Sequence, residues 1–181
     1  MLLSTLQTIA LIVGIAYYLF IMRNSQRNQE LARKAQEHAL ETRQAQLFMN
    51  TYLHLATEEL TKADYDLFNI DLKNMEDWNK LLEDKDKYTS FNIWLLYFEG
   101  VGLLVRKQLI DIDHVARLLS GAIMSFWEKY EAGFKGMREH YEYPRVMIEL
   151  EFLYHSVLEY GRKHPELEIV SPPLYQSKSE S

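Results

Sequence analysis

Apolar and polar positions alternate along this chain with helical rather than strand-like periods. The first apolar run carries no charged side chain from Leu2 to Met22, and its heart, Ile9 to Met22, reads IALIVGIAYYLFIM. A helix over these 21 residues rises about 31 Å, close to the hydrocarbon thickness of a bilayer. From residue 23 to 46 the chain turns to Gln, Arg, Glu and Ala, with neither Gly nor Pro. These are strong helix formers, so one unbroken helix is predicted from the first run to about Leu60. Within it Ala32, Ala35, Ala39, Thr42, Gln46, Met49, Leu53, Ala56 and Leu60 recur by threes and fours, the period of a coiled-coil seam. Two uses compete for that seam. One is pairing between copies; the other is docking of Phe48 to Leu60 onto the chain's own domain, which the small area of alanine favours.

Further along, Thr61-Lys62-Ala63-Asp64 has capping-box spacing and predicts a short helix through Tyr65, Leu67, Phe68 and Ile70. A second short helix is predicted over Met75 to Glu83, burying Met75, Trp78, Leu81 and Leu82, followed by an exposed loop at Glu83 to Lys87. Ser90 is expected to cap the most apolar stretch, Phe91 to Val105, whose apolar character all round makes it the central helix. Its fifteen residues, with Asn92 and Glu99 among them, are too few and too polar for a second membrane span. Asp111 or Asp113 then starts a helix with Val115, Leu118, Leu119, Ala122, Ile123, Phe126 and Tyr130 on one face, bent or ended by Gly133 and Gly136. Pro144 suits the first turn of a last helix with Val146, Met147, Leu150, Leu153, Tyr154, Val157 and Leu158 buried. The expected fold is therefore all-α: an N-terminal transmembrane helix continuing into a stalk, then a compact bundle of about four to six helices. The expected divisions are an anchor at 1–22, a stalk at 23–47, the bundle at 48–163 and a disordered tail at 164–181.

Composition narrows the function classes. Seven Gly and four Pro in 181 residues are too few for an all-β fold with its many turns. The absence of cysteine excludes disulfides, thiolate metal sites and cysteine nucleophiles. A net charge of −6 with no basic stripe away from the anchor gives no footprint for nucleic acid. Charge also directs the anchor. Arg23, Arg27, Arg33 and Lys34 follow it against the single acid Glu30, and no cation precedes it. The positive-inside rule then puts the N-terminus outside and the rest in the cytoplasm. A cleaved signal peptide needs a basic leading segment, which is missing.

Few residues carry a chemical signature. The six histidines, His38, His54, His114, His140, His155 and His164, form no HExxH or ExxH pair. Glu151 and His155 share helical spacing, which surface pairs commonly do. Gly100-Val101-Gly102 lacks the rest of any phosphate loop and reads as close helix packing. Pro172-Pro173-Leu174-Tyr175 has the short pattern read by WW domains, a match that arises readily by chance. Glu99 is the one charge in the central apolar stretch. A buried carboxylate needs a partner or takes up a proton, and Arg106, Arg117 and Arg145 are its candidates. No catalytic, cofactor or metal residue is assigned.

The stretch FNIWLLYFEGVGLLVRKQLIDIDHV followed by SFWEKY, behind an anchor and a Gln/Arg stalk, resembles an uncharacterised prokaryotic membrane-anchored family catalogued as a domain of unknown function. Phe98, Glu99, Val101, Gly102, Leu104, Val105, Arg106, Ile110, Asp111, Trp127, Glu128 and Pro144 occupy its motif positions, and Lys107-Gln108 stands where a glycine turn is usual. The resemblance implies the architecture and supplies no activity. The residues themselves point to a membrane-tethered helical interaction or scaffold protein, partnered by the bilayer and by an unidentified protein, without catalysis. Two rivals stand beside it. One is a membrane-bound enzyme or ligand sensor with a polar pocket around Glu99, Arg106, Arg117 and Glu128. The other is a signalling oligomer built through the stalk.

Overall fold

A computed structural model of the chain describes residues 2–53 and 57–170. All regular elements in them are helical: α1 (Leu2–Leu53), α2 (Glu58–Leu67), α3 (Met75–Glu83), α4 (Lys85–Arg106), α5 (Ile112–His140) and α6 (Ile148–Lys163), with a 3-10 turn at Pro165–Leu167. The chain divides into two compact units between Arg43 and Gln44.

The first unit is helix alone. Every side chain from Ile9 to Arg43 is exposed. Its apolar segment is long and apolar enough to cross a membrane, and none of it is buried within the chain. The charged part is laced by pairs along the helix, Arg33–Glu37 at 3.4 Å and Lys34–Glu30 at 3.0 Å.

The second unit holds the core. Phe91, Phe98, Phe126, Trp127, Tyr130 and Phe134 are all fully buried and touch in a chain of rings, with centroids 4.9 Å apart at Phe126–Tyr130 and 5.0 Å apart at Phe91–Tyr130. Leu150, Leu153 and Val157 of α6 close it from one side. Phe48, near the end of α1, joins the core, with Leu47 and Tyr52 packed beside it. The seam positions Met49 and Leu53 stay 47% and 58% exposed, so this docking uses a different face from the predicted seam.

Several boundaries differ from the sequence expectation, each for a local reason. The first helix ends at Leu53 rather than Leu60. Thr57, not Thr61, opens α2, because the Thr57 hydroxyl accepts the Leu60 N–H. The Thr61 hydroxyl instead donates back to the Thr57 carbonyl. The expected loop at 83–87 shrinks to Asp84, which ends α3 and caps α4 by accepting the Lys87 N–H at 3.2 Å. Ser90 is thus inside α4, buried, donating to Asp66 at 2.5 Å. Asp111 caps α5, which runs straight through Gly133 and Gly136. Gly133 permits close packing: a Cβ there would stand 2.4 Å from Leu72. Pro144 sits in the turn that precedes α6, not in its first turn. After α6 the chain folds back so that Ile169 reaches within contact of Gly161. His54, Ala56 and the Pro172–Tyr175 motif lie outside the described residues.

Candidate functional site

Glu99, Gly102 and Arg106 stand at i, i+3 and i+7 on α4 and so share one face. That face meets the first turn of α6. The approach is closest at Gly102, where a Cβ would lie 2.2 Å from the Glu149 carbonyl oxygen and 2.7 Å from its carbon. No side chain fits there without backbone movement. Glu99 accepts the backbone N–H of Glu149 at 3.1 Å. Arg106 pairs through Nε with the Glu149 carboxylate at 2.6 Å and donates from Nη2 to the Ile148 carbonyl at 3.3 Å. Its guanidinium also sits 4.0 Å over the Phe152 ring.

The turn they grip is strained. Met147, just before α6, takes the left-handed conformation at φ 52°, and α6 has no side-chain cap of its own. For a residue with a Cβ that conformation costs about 1–2 kcal/mol. It persists only where the surroundings over-determine it. Arg138, at the end of α5, supplies part of that determination. It donates to the Val146 carbonyl at 2.8 Å and the Met147 carbonyl at 3.4 Å, and pairs with Glu151 at 2.7 Å. Glu99 supplies the missing cap from another helix, and its negative charge suits the positive end of the α6 dipole.

Burial pushes the half-buried Glu99 carboxyl above its ordinary pKa, and the nearby Glu149 charge adds to this. The N–H groups of Glu149 and Leu150 and the Arg138 charge pull it back in part. The carboxylate does not find its partner in Arg106, Arg117 or Arg145. Arg106 is seven residues along the same helix, a rise of about 10 Å, and reaches Glu149 instead. The open N–H groups of the crossing helix are nearer.

The other two members of the expected polar pocket dock elsewhere on α6. Glu128 accepts the Tyr154 hydroxyl at 3.3 Å. Arg117 pairs with Asp113 at 2.7 Å, and Asp113 also accepts the Tyr160 hydroxyl at 2.5 Å. That hydrogen bond, then Arg117, holds the Asp113 carboxyl below its usual range. Arg117 borders a shallow cavity of about 300 Å³ with Ser120 and the returning segment Leu167–Val170. Glu149 and Tyr160 stand eleven positions apart on α6, with Tyr154 between them, a rise of about 16 Å. Glu99 and Arg106 therefore share the first turn of α6, whereas Glu128 and the Asp113–Arg117 pair meet later turns and form no common pocket with them.

A second helix end is finished in the same manner. Lys129 donates to the carbonyls of Leu67 at 2.7 Å and Phe68 at 3.3 Å, and the Tyr130 hydroxyl donates to Leu67 at 2.9 Å. Burial lowers the Lys129 pKa. The cation sits at the negative end of α2, mirroring Glu99 at the positive end of α6. Lys129 and Arg138 carry no local signal, because nothing in a short window marks a charge that serves a distant helix end, and Met147, expected inside the last helix, instead stands just before it. Among the described residues no three His, Asp or Glu side chains group as a metal would require.

The motif residues now have positions. Phe98, Val101, Ile110 and Trp127 are buried core, Asp111 caps α5, and Glu99, Gly102 and Arg106 build the α4–α6 junction. No curated protein and no solved structure matches the chain. A family model does, over residues 4–156, and its description is a domain of unknown function, DUF4760. That match takes in α1 through most of α6, including the whole α4–α6 junction, and the chain is a member of the DUF4760 family.

Proposed function

We propose that this protein is a single-pass, membrane-tethered helical module that binds a protein partner and carries out no catalysis of its own. The observation that carries the reading is the exposure of the apolar half of α1. Leu11, Ile12, Val13, Tyr17, Tyr18 and Phe20 are each 60% or more exposed. Apolar surface on this scale is stable only when lipid or protein covers it. Arg23, Arg27, Arg33 and Lys34 after it favour an orientation with the bundle in the cytoplasm and the N-terminus outside. The charged groups of the bundle support a structural rather than a reactive role, since Glu99, Arg106, Arg138 and Lys129 are spent on finishing helix ends. The same engagement takes support away from a ligand pocket around Glu99, Arg106, Arg117 and Glu128.

Cell fractionation with an alkaline wash tests the anchor, and full retention in the membrane pellet is expected. Glycosylation sites placed near Met1 and after Gly161 test direction in microsomes. The first is expected to be modified and the second not, and the reverse pattern overturns the topology. Affinity purification from native membranes then identifies the partner.

A further inference from the structure

Lipid can cover α1 as far as Met22, but the exposed helix continues to Arg43. Most helical stability in proteins comes from packing of a helix face, and this stretch packs on nothing in its own chain. The distribution of charge on it indicates what covers the rest. On the heptad set by Ala32, Ala35, Ala39 and Thr42, the segment 23–43 carries eight Lys, Arg, Asp and Glu side chains. Seven of them, Arg23, Arg27, Glu30, Arg33, Lys34, Glu37 and Glu41, fall on the three outer positions. They pair among themselves there, Arg33 with Glu37 and Lys34 with Glu30, and His38 turns outward to Glu41 at 3.2 Å. Only Arg43 stands at a flank of the seam.

Extended towards the N-terminus by threes and fours, the same register passes through the uncharged Asn28, Ser25 and Ile21 and then Tyr18, Gly14, Leu11 and Gln7. A Cβ on Gly14 would meet nothing within 4 Å, so a second backbone has room to approach there. Gln7 is an exposed amide in a charge-free run, with Ser4, Thr5 and Thr8 as its polar neighbours. In hydrocarbon such a group is unsatisfied unless a neighbouring helix answers it, and an identical glutamine both donates and accepts.

We propose that α1 pairs in parallel with α1 of a second copy of this chain, along the face of Gln7, Gly14, Ala32, Ala35, Ala39 and Thr42. The inference rests on the membrane-tethered reading above, because a shared anchor direction is what makes two copies parallel. In that arrangement the flanking neighbours across the pair are Asn24 with Gln29 and Leu31 with Gln36, which are uncharged, and His38 with Arg43. No acidic side chain faces another. Apart from Arg43 a charged foreign helix finds no matching charge on this face, whereas an identical one brings no acid against another acid.

The chain has no cysteine, so single substitutions report on single positions. Full-length variants A35C, A39C and T42C on the seam, and E37C and E41C on the outer face, are oxidised in native membranes and run on a non-reducing gel. Disulfide-linked dimer is expected at 35, 39 and 42 at roughly fivefold or more above 37 and 41, since Cα atoms beyond about 7 Å do not bridge. Equal yields at all five positions, higher yields on the outer face, or no dimer at all overturn the pairing. Fractionation of the same samples separates the two claims. Protein in the membrane pellet without seam-specific dimer refutes the pairing alone, while protein released into the soluble fraction refutes the tether.

Discussion

The two units of this chain treat their apolar residues in opposite ways. In the bundle, Phe91, Phe126, Trp127 and Tyr130 are each within 1% of complete burial, and every one meets rings from the same chain. In the first unit, residues of the same hydrophobicity, such as Leu11 and Phe20, are 66% and 70% exposed. Identical chemistry is covered by the chain itself in one region and left open in the other. The difference lies in what surrounds each apolar stripe. The bundle's stripes come in complementary sets on short helices that turn back on one another, whereas α1 runs 52 residues without a turn. A helix without a turn cannot cover itself.

This contrast is open to direct attack by mutation of the full chain in detergent, with thermal or denaturant unfolding as the readout. The largest effect is expected at Trp127, which packs on Phe134 at 5.7 Å and on Tyr154 at 5.8 Å. Trp127→Ala is expected to cost about 3–5 kcal/mol and to abolish a cooperative melt. Leu11→Ala is expected to leave the bundle's transition in place. A melt lowered equally by both would show that the units are not separate.

Next come the two glycines of α4, which sequence treats alike. Gly102→Ala forces the Cβ into the Glu149 carbonyl and is expected to destabilise by about 1–3 kcal/mol. Gly100→Ala points into open space and is expected to stabilise by about 0.5–1 kcal/mol, through the better helix propensity of alanine. Equal signs would remove Gly102 from the α4–α6 junction.

A smaller effect, visible as a pH dependence, is expected at Glu99. Its pKa in the folded protein is raised by burial above the ordinary 4.5, so the folded state holds this proton longer than the unfolded one. Its contribution is therefore fully present below 4.5 and is lost as pH rises through the window just above that value. Glu99→Gln keeps an acceptor for the Glu149 N–H but cannot ionise. The variant is expected to lack the decline that Glu99 gives the native chain in that window. Parallel stability curves for the two proteins would show that burial does not raise the Glu99 pKa. The smallest effect is expected at the exposed Arg33–Glu37 pair, where Glu37→Gln should leave the bundle's melting temperature unchanged.

Much of this architecture was legible in the sequence, and the residues show why. Helix α3 runs over Met75–Glu83, as its apolar spacing and flanks predict. Val115, Leu119, Ile123, Phe126 and Tyr130 are the buried face of α5, although Leu118, assigned to it by spacing, remains 52% exposed. The exposed apolar run of α1 was visible as a charge-free stretch. Each of these depends on hydrophobicity and period, which are properties of a short window. The helical class, the order of helices and most of the buried faces of α5 and α6 were therefore determined by the sequence by itself.

Other features required the crossing of one helix over another. Asp84 and Thr57 became caps because of where the neighbouring helices start, not because of their residue type alone. Glu99 was recognisable as a carboxylate in need of a partner, but the partner proved to be the backbone of α6, fifty residues away. Gly102 and Gly100 are two positions apart in one pattern, and only the Glu149 carbonyl tells them apart. Lys129 and Arg138 serve helix ends that no local spacing connects to them. Periodicity records which face of a helix is buried, whereas the tertiary fold alone decides what that face meets, because unpaired backbone groups at a helix end take whichever charge the packing brings within reach.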